Sequence, residues 1–331
     1  MKRLSAALGL AGLVVLTVLV MHAGSGEVLA LLGSAGWPLL WLLPFHVLPV
    51  LLDAIGWQCL LRPSDPLKRA SLAYLFWVGT VRESVGRVLP TASIGGDLVA
   101  IRLACLRIPE GGVVAASVVL EILIGLLKLY LFVALAMLWL LQSTGTADLA
   151  RDILLALGLS LPVLAVFGIA LRYGALFARL QRLIAGMLGP SSEIARLIGG
   201  ADIDAELVKL YRHRGRLLAT FALQFAAIVA GAFETWLALR LLGHPVDVPS
   251  ALALEALQQA IRHLVFVAPA GLGVQEVGLL MLGRLIGLPD EASLSLSLAK
   301  RARELLFAVL PLASWQWMEA LRLKRPLPDA R

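Results

Sequence analysis

The chain has 331 residues, 60% of them hydrophobic, and a mean hydropathy of +0.88, far above a water-soluble domain. That composition excludes soluble globular and disordered classes, and several apolar runs are long enough to cross about 30 Å of hydrocarbon. The net charge of +7 does not point to nucleic acid, because the Lys and Arg distribute around apolar runs as a membrane topology signal. The two cysteines, Cys59 and Cys105, sit in apolar stretches without CxxC spacing, which argues against a thiolate metal site.

Lys2 and Arg3 precede an apolar run over residues 4–21. Met21 would fall at the minus-three position of a cleavage site before Ala23, so the run reads as a first transmembrane helix rather than a leader. A second span covers 38–61 and carries His46 and Asp53; Arg62, Pro63, Pro66, Lys68 and Arg69 close it. The next segment, 70–89, holds Arg82, Glu83 and Arg87, with Glu83 and Arg87 spaced for a helical ion pair. PTASIGGD (90–97) then breaks the helix, and a short limb runs to about residue 107. Both limbs are near or below spanning length, which predicts a re-entrant hairpin.

Residues 111–141 form a long span with Glu121 and Lys128 seven apart on one face. Another span covers 153–171. The segment 172–216 has eight Lys/Arg against four Asp/Glu, and LFARLQRLIAGML (176–188) has the periodicity of an amphipathic surface helix. The run 217–242 is a span with Glu234 and Arg240; 250–268 carries Glu255, Gln258, Gln259, Arg262 and His263; PAGLGVQE (269–276) breaks it, and 277–288 completes a second hairpin. A last span, 292–319, contains Lys300, Arg301, Arg303 and Glu304. With the N-terminus inside, the basic stretches 62–69, 172–216 and the C-terminal tail all fall on the cytoplasmic side, and both termini are cytoplasmic.

The chain also repeats. Pro90 and Asp97 match Pro269 and Glu276, each acid seven residues after its proline; Pro109-Glu110 matches Pro289-Asp290, and RPSD (62–65) loosely matches HPVD (244–247). The offset stays near 180 residues. An odd number of spans separates the copies, so they are expected to be inverted in the membrane. The expected architecture is one all-α integral membrane domain over 1–331, with about six transmembrane helices and two re-entrant helical hairpins arranged as an inverted repeat. Repeat 1 covers 38–141 and repeat 2 covers 217–320; 1–37, 142–216 and 321–331 are the N-terminal helix and loop, the connecting span with its basic segment, and the tail. Twelve residues into each repeat's last helix, roughly 18 Å along it, lie Glu121 and Arg301. Their position predicts a pair across the pseudo-twofold axis near the midplane.

The stretches PTASIGGDLVAIRLA, APAGLGVQEVGLLMLGRLIGLP, SLAKRARELL and SWQW resemble the flippase-like transmembrane family that includes the membrane half of lysylphosphatidylglycerol synthases. Within it, SLAKRARE and the chain length are most similar to the hopanoid-biosynthesis-associated HpnL-type proteins. The resemblance covers about residues 38–320. It implies a bacterial inner-membrane protein that handles a lipid, hopanoid or phospholipid, with no carry-over of the synthases' aminoacyl-transferring activity because that soluble domain has no counterpart here. The family's acid-then-Arg pair after the first hairpin is altered, since Glu121 is followed by Ile122 and the next buried cation is Lys128.

Charged residues inside spans are functional candidates by default. Arg82, Arg87, Asp97, Glu121, Arg262, Glu276, Lys300 and Arg301 are therefore the expected polar lining of a substrate site, although ion pairing that only holds helices together competes evenly with that role. Asp97 also suits a helix N-cap, and His46, alone on an apolar run, suits a bonded core histidine. No catalytic residue, metal ligand or cofactor site is expected: HExxH and GxSxG are missing, and the five histidines are scattered. The competing readings are a membrane-embedded lipid-modifying enzyme and a scaffold that recruits lipid-biosynthesis enzymes through the basic segment.

Overall fold

The computed structural model describes residues 32–88, 94–141, 203–264 and 274–323, with residue 30 and a few positions between 148 and 162. The first span (4–21), most of 153–171, the amphipathic stretch 176–188, Pro90, residues 269–273 and the tail beyond 323 lie outside them. The described residues form nine helices of ten residues or more. They are α1 (Leu42–Leu61, led in by a 3-10 turn at Trp37–Trp41), α2 (Leu72–Val88), α3 (Ile94–Ala104), α4 (Gly111–Leu140), α5 (Ile203–Arg212), α6 (Arg214–Leu241), α7 (Val248–Leu264), α8 (Val274–Leu285) and α9 (Asp290–Leu323).

Three stretches among them are long and apolar enough to cross a membrane: Trp37–Leu61, Gly111–Leu140 and Arg214–Leu241. Their outward faces remain apolar, with Leu127, Leu131, Leu135 and Leu138 of α4 all exposed. That arrangement suits a hydrocarbon solvent, which leaves apolar side chains at no disadvantage outside. At 34 residues α9 is also long enough to span, but Lys300, Arg301, Arg303 and Glu304 interrupt its apolar character within two turns.

Between helices in a membrane the hydrophobic effect contributes little, so close packing and small residues govern association. The central crossing shows this: α1 packs against α6 where Gly56 faces Thr220. A Cβ on Gly56 would lie 3.4 Å from the Thr220 methyl, and the Thr220 hydroxyl donates to the Gly56 carbonyl at 3.0 Å. In the first half, α2 and α3 lie against each other, and Gly96 makes that possible because a methyl there would overlap the Arg82 carbonyl oxygen. In the second half α7 and α8 pair likewise, with Gly278 facing Ile261.

The packing has a two-fold pattern. α1 meets α2 as α6 meets α7, and α3 meets α4 as α8 meets α9. Each half also lends a helix to the other, α2 resting on α9 and α7 on α4. Two of the apolar cores among the described residues follow this pattern. One joins Trp57 of α1, Val78 and Val81 of α2, Leu103 of α3 and Val114 of α4. The other joins the far end of α4 at Phe132 and Met137 with Leu239, Leu254, Leu279 and Leu296 of α6–α9. Between these cores the helices hold their polar side chains.

Candidate functional site

A cavity of about 610 Å³ opens between α1, α2, α4, α6, α7 and α9, with α3 contributing Asp97. Its size is within the usual range for a bound small molecule, roughly 300–1,000 Å³. Its lining contains seven carboxylates (Asp53, Glu83, Asp97, Glu121, Glu234, Glu255, Glu304) and six Lys/Arg (Arg82, Arg87, Lys128, Arg262, Lys300, Arg303). A buried charge is tolerated best when paired and hydrogen-bonded, and the lining pairs its charges cluster by cluster.

Arg82 bridges two carboxylates. Its Nε donates to Asp97 and its Nη1 to Glu121, both at 2.7 Å. The short α2–α3 distance that Gly96 permits is what brings Asp97 within reach. Asp97 therefore lies inside the first turn of α3, whose described part begins at Ile94, and gives its carboxylate to Arg82 instead of capping the helix.

His46 of α1 lies between two acids. Nδ1 is 2.9 Å from Glu234 and Nε2 is 3.0 Å from Glu83. With both acids ionised, both contacts are hydrogen bonds only if both ring nitrogens carry hydrogen, which is the imidazolium form. The Phe307 ring packs edge-on to it, with centroids 4.9 Å apart. Arg303 Nε lies 2.9 Å from Glu234, in ion contact but off the line a hydrogen bond requires.

Three guanidinium groups converge on Glu304. Arg87 donates at 2.6 Å, Arg262 at 3.1 Å and Arg301 at 3.4 Å. Arg87 has a second acid in Glu83 at 2.6 Å, and Arg301 has Glu276 at 3.3 Å. Arg262 alone of the three shares Glu304 without another carboxylate among the described residues. On the other wall, Lys300 donates to Glu255 at 2.5 Å, to Thr235 at 2.8 Å and to Gln258 at 3.0 Å. Thr235 and Gln259 complete the shell of Glu255 at 2.6 and 2.8 Å. The loosest pair is Lys128 with Asp53, at 3.5 Å.

These clusters sit in a chain whose residues 4–311 match the family model for the lysylphosphatidylglycerol synthase TM region. The chain belongs to that family. It is thus a membrane protein connected with lipids, and the resemblance carried by PTASIGGD and PAGLGVQE extends over nearly all of it. Compared with curated proteins and with solved structures, this family member finds no match.

Of the eight residues expected to line the site, Arg82, Arg87, Asp97, Glu121, Arg262 and Lys300 of this lysylphosphatidylglycerol synthase TM-region protein line the cavity. Glu276 and Arg301 do not; they pair with each other behind it, Glu276 fully buried. The expected Glu121–Arg301 pair does not form. Arg82 on the facing helix satisfies Glu121, and Glu304, one turn along the same helix, takes Arg301. Lys300, one position away from Arg301, does line the cavity. Asp53, Glu83, Lys128, Glu234, Glu255, Arg303 and Glu304 line the cavity too, though none was among the expected site residues. Counting every ionisable residue within an apolar run as a candidate would have included them. His46 is buried and fully bonded, as a core histidine should be, yet its partners are charged and it faces the cavity.

Proposed function

We propose that this protein moves or presents the polar head of a membrane lipid through the charged cavity between its two halves, without itself being an enzyme. The observation that carries this reading is the cavity: a space of about 610 Å³ with more than a dozen ionisable side chains, walled by helices from both halves of a membrane-spanning family member. Water or a polar head is the natural occupant of such a space, since hydrocarbon would leave the charges unsolvated. The matched packing of the two halves supports an inverted repeat in which α2–α3 and α7–α8 act as re-entrant hairpins, and alternating access by one half rocking on the other suits that arrangement.

The lipid in this reading is a hopanoid or a phospholipid of a bacterial inner membrane, with the N- and C-termini cytoplasmic. Reconstitution into liposomes with leaflet-specific assay of labelled phospholipid and hopanoid tests it. Accelerated transbilayer movement of either class is expected. Chemical conversion of the lipid in the same vesicles would replace this reading with a lipid-modifying enzyme, and neither movement nor conversion would leave a scaffold.

A further inference from the structure

Accepting the cavity as a lipid head-group site, we propose that it selects a zwitterionic head, phosphate and amine together, over an anionic or an uncharged one. The charge balance of the lining points there first. Seven carboxylates face six Lys/Arg, and His46 in its imidazolium form supplies the seventh cation. A head of net charge would enter with nothing to compensate it, whereas a zwitterion leaves the balance intact.

The balanced charges are nevertheless unevenly spread. Arg82 is held between Asp97 and Glu121 and lies within electrostatic reach of Asp53, so this end of the cavity is rich in carboxylate. Arg262, crowded by Arg87 and Arg301 on the single Glu304, makes the other end rich in guanidinium, and His263 lies within electrostatic reach of both Arg262 and Lys128. Lys128 and Asp53 stand where the two ends meet. At 3.5 Å theirs is the longest ion pair lining the cavity, and the Asp53 side chain, 46% exposed, is its most open carboxylate. A zwitterion can replace that pair by exchange: its phosphate goes to Lys128 and Arg262, its ammonium to Asp53.

Isothermal titration of the purified full chain with three dihexanoyl lipids tests this: a phosphoethanolamine, a phosphoglycerol and an uncharged glucoside. The phosphoethanolamine lipid is expected to bind at least tenfold more tightly than either other. Asp53→Asn should remove most of that preference over phosphoglycerol, and Lys128→Gln should weaken both phosphate-bearing lipids. Equal or tighter binding of phosphoglycerol by the wild-type protein overturns the proposal, and that comparison needs no variant to fold. Liposomes separate it from the broader reading. Lipid movement at the same rate for all three heads sinks the selectivity and leaves transport standing; selective binding without movement does the reverse.

Discussion

Replacing Lys300 with Met removes the cation at the most fully bonded point of the cavity wall. Lys300 is 8% exposed and Glu255 4%, and the ammonium makes three hydrogen bonds of 2.5–3.0 Å. Breaking a buried pair by removing one partner costs about 3–5 kcal/mol, because the remaining charge is stranded. Glu255 would keep the Thr235 hydroxyl at 2.6 Å and the Gln259 amide at 2.8 Å, and the cavity admits water. The cost should therefore fall at the low end, about 3 kcal/mol, roughly a hundredfold in the folding equilibrium. Neutralising the stranded acid as well, in Lys300→Met/Glu255→Gln, should recover about 2 kcal/mol. Reversible unfolding in mixed micelles, followed by tryptophan fluorescence, measures Lys300→Met, Glu255→Gln and the double variant. If both single substitutions fall within about 0.5 kcal/mol of wild type, or the double variant is no better than Lys300→Met, the pair does not hold the wall together.

Gly96→Ala should destabilise by about 1–3 kcal/mol or prevent assembly, because its methyl meets the backbone carbonyl of Arg82. Gly278→Ala should cost less, since the nearest atom, 2.8 Å away, is the movable Cδ1 of Ile261. Thermal melting of the two in the same detergent gives the order, and a reversed order would refute the close α2–α3 packing. Arg82→Lys should lose about 1–3 kcal/mol despite keeping the charge, because one ammonium replaces two divergent donors that reach Asp97 and Glu121 separately. A double-mutant cycle with Asp97→Asn reads the lost contact, and a coupling near zero would show that Arg82 does not bridge the two acids.

Much of the helix plan was legible because hydrophobic run length is a strong signal in a membrane chain. The expected spans over 38–61, 111–141 and 217–242 coincide with the three apolar stretches Trp37–Leu61, Gly111–Leu140 and Arg214–Leu241. The limbs expected on either side of PTASIGGD are the helices Leu72–Val88 and Ile94–Ala104, but Ile94–Gly96, expected within the break, are helical, residues 89–93 lie outside the described ones, and Gly96 proved to be a packing glycine. Partner choice was not legible. Periodicity fixes a residue's height and face only to about one position, and at Lys300 and Arg301 that single step decides between the cavity and the buried pair behind it. Nor could spacing reveal that Glu121 is reached from α2, since that contact spans 39 residues and depends on how the hairpin docks.

Gly125 offers the most direct test of whether the cavity is the lipid's route. It lines the cavity on α4, and a Cβ added there meets no atom within 4 Å. Gly125→Trp should therefore fill the space while leaving the surrounding pairs in place. In proteoliposomes matched for the amount of folded protein, transbilayer movement of labelled lipid should drop to the rate of empty vesicles, while Gly125→Ala retains the wild-type rate. A Gly125→Trp protein that moves lipid as fast as wild type would contradict the cavity as the path.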